Sequence, residues 1–312
     1  MKAFGGFLLA APLCAMPMLI GCGAMTYKVP QNQPSTTTSG SGGSGTSSGS
    51  GGSGASGGSG GSGGSSGTGG SGTSSGSSGS GSSTSGASIP ANAIALSGIQ
   101  ALSGWLAITD TGAASGSAQG ATEIVGQPSK SGSARQFTTT FSNDGDERYD
   151  VLFGADTQAS NFVYDGWIYI GSPAADVGNL EMDLNQVMAN GETVLFGFQC
   201  DGYSGTWDYT ENAGTAQSPT DAWVHSGAAC NPRTWTADAW HHVQISYARD
   251  DAGNVTYNSV WLDGTEQTIN ATVPSAFALG WSSSLVTNFQ VDGVGSGGSS
   301  TVYLDDLTVY RW

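Results

Sequence analysis

Three polar residues alternate with apolar residues between positions 180 and 186. Glu181, Asp183 and Asn185 are each separated by a leucine or a methionine. Successive side chains of a β-strand point to opposite faces, so this spacing puts two carboxylates and an amide on one face. Burying such a row without partners is costly. We therefore expect the row to face solvent or a cleft.

A pair of carboxyl groups can supply the acid and the base of glycoside hydrolysis. Residues two apart on a strand lie about 7 Å apart, which exceeds the separation in retaining enzymes and falls in the inverting range of roughly 6.5–9.5 Å. Glu181 and Asp183 are the candidate catalytic pair under this hypothesis. Two alternatives remain open, namely that the row binds a ligand without reaction or that it is a solvated strand face.

Aromatic side chains that lie close in sequence to this strand can stack on the C–H faces of sugar rings. Residues 199–209 are polar and aromatic and have the composition of a loop, and His242 is expected near the Glu181 row. The alternative is that most tryptophans belong to the core. The predicted ligand-binding residues are Glu181, Asp183, Asn185, Tyr203, Trp207, Trp223 and His242.

A metal site has weaker support. Asp144 and Asp146 crowd oxygen ligands into one turn, which makes them candidate ligands of a structural calcium ion. The segment lacks the ligand spacing of an EF-hand, and a solvated hairpin is the alternative. The three histidines have no metal-ligand spacing such as H-E-x-x-H. No cofactor is otherwise expected.

Period-two alternation predicts many short strands between position 136 and the C-terminus. Turn sequences separate them at 143–146, 250–254 and 263–264, and no window of 12 or more residues has a helical period. This pattern favours an all-β sandwich or barrel. The predicted strands are 136–141, 149–153, 162–170, 179–186, 193–200, 240–249, 255–263, 265–273, 287–292 and 301–312.

The last third of the chain resembles concanavalin A-like, laminin G-like jelly rolls. The resemblance rests on three segments in order: Trp240-His241-His242-Val243, Val260-Trp261-Leu262-Asp263-Gly264 and Leu304-Asp305-Asp306-Leu307. It implies a concanavalin A-like jelly-roll β-sandwich for residues 88–312. The superfamily contains lectins, carbohydrate-binding modules, glucanases and polysaccharide lyases, so the fold alone leaves the function open.

The strand at 180–186 is similar to the catalytic strand of laminarinase- and lichenase-type glucanases, Glu-x-Asp-x-Glu. The resemblance implies that Glu181 matches the nucleophile and Asp183 the residue that tunes it. Asn185 stands in place of the acid/base glutamate. Losing such a catalyst typically costs ~10²–10⁴-fold in rate. This departure favours non-catalytic carbohydrate binding over hydrolysis.

The N-terminal sequence Leu19-Ile20-Gly21-Cys22 ends an apolar stretch and resembles a bacterial lipobox. The resemblance implies that Cys22 is lipidated and becomes the mature N-terminus; an ordinary cleaved signal peptide is the alternative. The resemblance also implies the outer membrane or cell surface, because Gly23 stands where such proteins carry an aspartate when they stay in the inner membrane. We expect a signal peptide at 1–21, a lipidated N-terminus at 22–34, a disordered Gly/Ser linker at 35–87 and the β-sandwich domain at 88–312.

The cysteines fit an exported domain. Cys14 leaves with the signal peptide and Cys22 carries the lipid, which leaves Cys200 and Cys230 as one pair. A disulfide between them is expected in an oxidising compartment. Zinc binding is disfavoured because two isolated cysteines lack the C-x-x-C spacing of zinc ligands.

Charge limits the partners of the domain. All 24 acidic residues follow position 87, and the chain has a net charge of −16. This argues against nucleic acid or an anionic membrane surface as the direct partner of the domain. We expect a monomer that binds a polysaccharide or glycan and reaches the membrane only through its N-terminal lipid. The alternatives are a glycoside hydrolase and a structural or adhesive surface protein.

Overall fold

Alternating apolar and polar residues form strands along nearly all of the chain that the structure describes. The computed structural model describes residues 86–109 and 116–312. The expected signal peptide, the lipidation site Cys22 and all but the last two residues of the expected linker lie outside the described residues. Short 3-10 turns occur at Ile99–Ala101, Ala174–Asp176 and Pro232–Thr234. No helix within these described ranges is long and apolar enough to span a bilayer.

The strands follow one another with short connections. Their bounds are β1 Ile94–Ser97, β2 Leu106–Thr109, β3 Ser117–Val125, β4 Ala134–Ser142, β5 Asp146–Gly154, β6 Asn161–Ile170, β7 Val177–Val187, β8 Thr193–Phe196 and β9 Phe198–Asp201. The second half contains β10 Thr206–Asn212, β11 Asp221–Ala229, β12 Trp240–Arg249, β13 Asn254–Leu262, β14 Thr265–Pro274, β15 Ala276–Phe277, β16 Ser284–Gly293 and β17 Gly298–Arg311.

Two antiparallel sheets form the predicted jelly-roll β-sandwich, and the all-β fold is confirmed. Sheet A has the order β14-β13-β12-β6-β17-β4-β3, with β1 beside β17. Sheet B has the order β11-β10-β9-β7-β16-β5-β2, and β8 pairs with the second half of β7. The strand that carries Glu181 therefore lies in the middle of sheet B, with β16 on one side and β8 and β9 on the other.

The core lies between the inward faces of the two sheets. Leu180, Met182 and Leu184 of β7 are fully buried, as are Tyr247 and Tyr257 from sheet A. The phenol of Tyr247 donates to the carbonyl of Met182 across the sandwich at 3.3 Å. Burial of apolar area on this scale is the main stabilising term of such a fold.

Strand 193–200 was predicted as continuous, and it is divided at Gly197 into β8 and β9. The amide of Thr210 donates to the Gly197 carbonyl, and a Cβ on Gly197 would lie 2.5 Å from the Thr210 side chain. Only glycine allows the chains to approach this closely.

The interpretation of residues 199–209 as a loop is wrong, because most of the segment belongs to β9 and β10.

The predicted disulfide is confirmed. Cys200 of β9 and Cys230, which follows β11, are bonded with their Cα atoms 5.3 Å apart. The bond closes the segment that contains β10 and β11 and holds this edge of sheet B at both ends.

Candidate functional site

The polar row of β7 has the predicted alternation. Leu180, Met182 and Leu184 face the core, so Glu181, Asp183 and Asn185 point away from it on the outer face of sheet B. Strand pairing places further polar residues beside them on the same face. The central strands of sheet B therefore share one polar surface.

This surface consists of three rows that run across the strands, which we call the polar grid. On β7, β9 and β16 its members alternate with core residues. The rows are spaced by two residues along a strand, about 7 Å, and neighbours within a row lie on strands about 4.8 Å apart. The first row is Asp146, Asp292, Asn179 and Asp201; the second is Arg148, Gln290, Glu181, Gln199, Asp208 and His225; the third is Asp150, Asn288 and Asp183.

Amide side chains join the carboxylates of the polar grid. Gln290 Nε2 donates to Glu181 Oε1 at 2.7 Å and to Asp292 Oδ1 at 3.0 Å. Asn185 donates to Asn288 Oδ1 at 3.3 Å. Glu181 is only 3% exposed. Of the two expected surroundings, solvent or a cleft, open solvent is wrong, because the carboxylates are buried among polar neighbours that partly replace water.

Asp183 also stabilises the backbone. Its Oδ1 accepts from the Phe198 amide at 3.0 Å, just after Gly197 divides β8 from β9. The carboxylate therefore satisfies a backbone donor at the break in the strand.

Burial controls the titration of the polar grid. It raises the pKa of Asp183 to about 8, although the Phe198 amide acts in the opposite direction. Burial raises the pKa of Glu181 well above its usual value, and nearby Asp183 and Asp292 add to the effect. The pKa of Asp292 is also raised by burial, and the Asp146 carboxylate contributes. Burial thus shifts each of these carboxyl groups toward its neutral form.

Two predicted aromatic residues border the polar grid. Tyr203 is 51% exposed in the turn between β9 and β10. Its hydroxyl donates to the Gly293 carbonyl and to Asp144, and the Arg233 guanidinium lies 4.8 Å from its ring centroid. Trp223 lies half-buried on the edge strand β11, two residues from His225 and on the same face of the sheet. Both residues therefore lie at the margin of the grid.

The predicted role of Trp207 in ligand binding is wrong. Alternation along β10 directs Trp207 into the core and Asp208 onto the polar grid. Trp207 is fully buried, and its ring stacks on Phe198 with centroids 5.4 Å apart. It cannot contact a ligand on the outer surface.

His242 does not join the polar grid, so its predicted position near Glu181 is wrong. It belongs to β12 and lies on the outer face of sheet A, because Val243 beside it faces the core. Its ring stacks on Trp167 at 4.4 Å, and its Nε2 lies 2.7 Å from Asp165 Oδ1. The core separates it from Glu181.

The predicted calcium ligands do not converge. Asp144 accepts from Tyr203, whereas Asp146 belongs to the first row of the polar grid. In the described part of the chain, the residues whose ligand atoms lie close enough for one metal ion are Asp201, Asp208 and His225, within 4.8 Å of one another. Asp208 already accepts from Thr206 Oγ1 at 2.6 Å and lies 2.8 Å from His225 Nδ1.

The amides and carboxylates of β16 were not identified from the sequence. Residues 287–292 were predicted as a strand, and their alternation puts Asn288, Gln290 and Asp292 on one face. No local signal indicates that this strand pairs with β7, more than a hundred positions earlier. Likewise, no local signal in the sequence indicates that Arg148 and Asp150 of β5 lie beside β16.

No family model matches the chain, and no curated protein matches it. Similar solved structures include one described as a study of promiscuous carbohydrate-binding modules of the β-sandwich superfamily, at 12% identity, TM-score 0.34 and coverage of 67% of this chain and 57% of that one. Cellulose induced protein Cip1 has 16% identity, TM-score 0.37 and coverage of 61% and 85%. Carbohydrate binding module CBM66 from Bacillus subtilis has 12% identity, TM-score 0.31 and coverage of 60% and 92%. Similarity this low carries no argument about what this chain binds.

Proposed function

We propose that residues 88–312 are a non-catalytic carbohydrate-binding domain and that the polar grid of sheet B is its binding face. The observation that carries the proposal is the strand register, which aligns amides and carboxylates of β5, β16, β7 and β9 in three rows. Sugar hydroxyls both donate and accept, and such a lattice offers both kinds of partner at regular spacing.

The margin of the grid supports the same function. Tyr203 presents a half-exposed ring near the first row, and Trp223 stands on the edge strand beside His225. Flat rings add apolar contact to the C–H faces of a sugar and lose little conformational entropy. Hydrogen-bonding groups in the centre with aromatic rings at the margin are typical of sites that bind carbohydrates.

Hydrolysis is the weaker proposal. A retaining glycosidase needs one ionised carboxylate as nucleophile and one carboxylic acid as proton donor. Burial raises the pKa of Glu181 and of Asp183 together, so it disfavours the ionised form of both and does not separate them into a nucleophile and an acid. Asn185, at the acid/base position, donates to Asn288 and cannot replace a carboxylic acid.

We also propose that Cys22 carries a lipid and that the Gly/Ser segment displays the domain at the outer membrane or cell surface. A Cys22→Ser variant should move from the membrane fraction to the soluble fraction and should no longer incorporate labelled fatty acid. Unchanged membrane association and labelling would contradict this anchor.

A glycan array combined with a reducing-end assay tests the proposed function. Wild type should bind a subset of glycans without releasing reducing ends. Gln290→Leu, which removes the donor shared by Glu181 and Asp292, should weaken binding at least about tenfold. His242→Ala on sheet A is the control and should bind as wild type does.

Each other outcome contradicts the proposal in a different way. Release of reducing ends that Glu181→Gln abolishes would establish a hydrolase. A folded protein that neither binds nor cleaves any glycan would support a structural or adhesive role.

A further inference from the structure

We propose that the polar grid selects glycans that carry free amino groups, in preference to neutral or acidic glycans. The inference rests on the proposed function and names the class of sugar for that same face. Two independent observations carry it: the charge of the grid, and the buried oxygen of Gln290 within it, which accepts no hydrogen bond from the described residues.

The three rows of the grid are strongly acidic. Seven carboxyl groups occupy them, against one guanidinium and one imidazole. The guanidinium belongs to Arg148, whose Nε donates to Asp150 at 3.0 Å. The imidazole belongs to His225 at the exposed edge, next to Asp208. A uronic acid would bring a further negative charge to this surface, whereas an ammonium group would neutralise one.

The grid also has an excess of acceptors. Gln290 is 3% exposed, yet no donor among the described residues reaches its Oε1. The same holds for Oδ1 of Asn185, which lies on β7 just beyond the third row. Exchanging the oxygen and nitrogen of Gln290 would not help, because its nitrogen already donates to the carboxylates of Glu181 and Asp292. A donor from a bound ligand would satisfy an acceptor of this kind.

An amino sugar supplies more donors than a neutral sugar at the same position. A protonated amine has three donors and no acceptor, whereas a hydroxyl has one donor and adds acceptors to a face that already has too many. An ammonium group placed near Glu181, Asp292 and Gln290 would therefore satisfy acceptors and reduce repulsion at once.

The titration of the grid gives the inference a second consequence. Burial and neighbouring carboxylates raise the pKa of Glu181 and of Asp292. A bound ammonium group favours the ionised carboxylates and lowers those pKa values. Binding of an amino sugar should therefore release protons, whereas binding of a neutral sugar should not.

Calorimetric titration with matched oligosaccharides tests the inference. The probes are β-1,4-linked oligomers of glucosamine, of N-acetylglucosamine and of glucose, together with an oligomer of galacturonic acid. At about pH 6, where amines of this class carry a proton, the glucosamine oligomer should bind wild type at least about tenfold more tightly than the others. Repetition in two buffers of different ionisation enthalpy measures proton release.

Glu181→Gln combined with Asp292→Asn keeps the size of both side chains and removes their charge. This variant should lose the preference for glucosamine and still bind the neutral oligomers. Asp165→Asn is the matched control, because it exchanges a carboxylate for an amide on sheet A and should leave the preference unchanged. If the double variant fails to fold, proton release by wild type still decides the question.

Equal affinity for the glucosamine and glucose oligomers, or tighter binding of galacturonate, would overturn the inference and leave the proposed function intact. Binding of the glucosamine oligomer without proton release would also overturn it. Failure to bind any oligosaccharide, here and on the glycan array, would overturn the inference and the proposed function together.

Discussion

Asp183 combines two tasks at the scale of a single residue. It belongs to the third row of the polar grid, and its carboxylate accepts from the Phe198 amide at the start of β9. Its burial raises its pKa to about 8. The same side chain thus completes a backbone hydrogen bond and couples the stability of sheet B to pH.

The first prediction concerns this coupling. In the unfolded chain an aspartate titrates at about pH 3.9, whereas Asp183 in the folded protein titrates at about 8. Between these values the folded state holds a proton that the unfolded state has released. The stability that Asp183 contributes through this proton is therefore fully present below about pH 4 and is lost as the pH rises to about 8. The free energy of unfolding falls by at most about 1.4 kcal/mol per pH unit over this range.

Urea unfolding at about pH 5 and pH 7 measures this effect. The free energy of unfolding of wild type should fall between the two values, and Asp183→Asn should make the fall smaller. Asp250→Asn is the control, because hydrogen bonds from Asn254 lower the pKa of Asp250 and take its titration below this window. An identical pH dependence in wild type and Asp183→Asn would contradict the prediction.

Two aromatic residues provide the second prediction. Tyr203→Ala should weaken glycan binding several-fold with little change in stability, because its ring is half exposed. Trp207→Ala should destabilise the fold by about 3–5 kcal/mol, because the ring is fully buried against Phe198. Thermal unfolding and affinity electrophoresis separate the two effects. A stable Trp207→Ala variant with impaired binding would contradict this prediction and would show that Trp207 contacts the glycan.

At the scale of the element, sequence alternation identifies most strands of the second half. Residues 240–249 were predicted as a strand and form β12 without any shift. The alternation of Trp207, Asp208 and Tyr209 predicts a strand as well, but their polar and aromatic composition suggested a loop. For these residues, the period of alternation predicts secondary structure better than composition does, because the outer face of sheet B is itself polar and aromatic.

The third prediction concerns a turn. Asp263 and Gly264 have φ values of 50° and 79° and connect β13 to β14 in a two-residue hairpin, as the sequence predicts. Gly264→Ala should destabilise the protein by about 1 kcal/mol, because alanine disfavours this backbone region. Gly227→Ala is the control, since Gly227 has a negative or extended φ and no atom near its Cβ position. Equal stability of both variants in urea would contradict the assignment.

At the scale of the whole molecule, the polar grid is a product of long-range pairing. Its rows bring together β5, β7 and β16, which are distant in sequence. Alternation predicts that each strand has one polar face. It does not predict which strands are neighbours, so the fold class was accessible from sequence whereas the composition of the grid was not.

The disulfide is the fourth prediction and also acts across the molecule. Closing a loop of 30 residues contributes about 3–4 kcal/mol in the chain-entropy treatment. Replacing Cys200 and Cys230 by serine should lower the free energy of unfolding by this order, as measured with urea. Adding a reductant should destabilise wild type and leave the double variant unchanged. A reductant effect on the double variant would show that the loss has another origin.

The central claim is that the polar grid of sheet B contacts the glycan, and NMR titration of the labelled domain tests it most directly. Addition of a glycan that binds should shift the amide and side-chain signals of Gln290, Glu181 and Tyr203. The signals of Trp167 and His242 on the outer face of sheet A should stay in place. Shifts confined to Trp167 and His242, with the grid unaffected, would contradict the account.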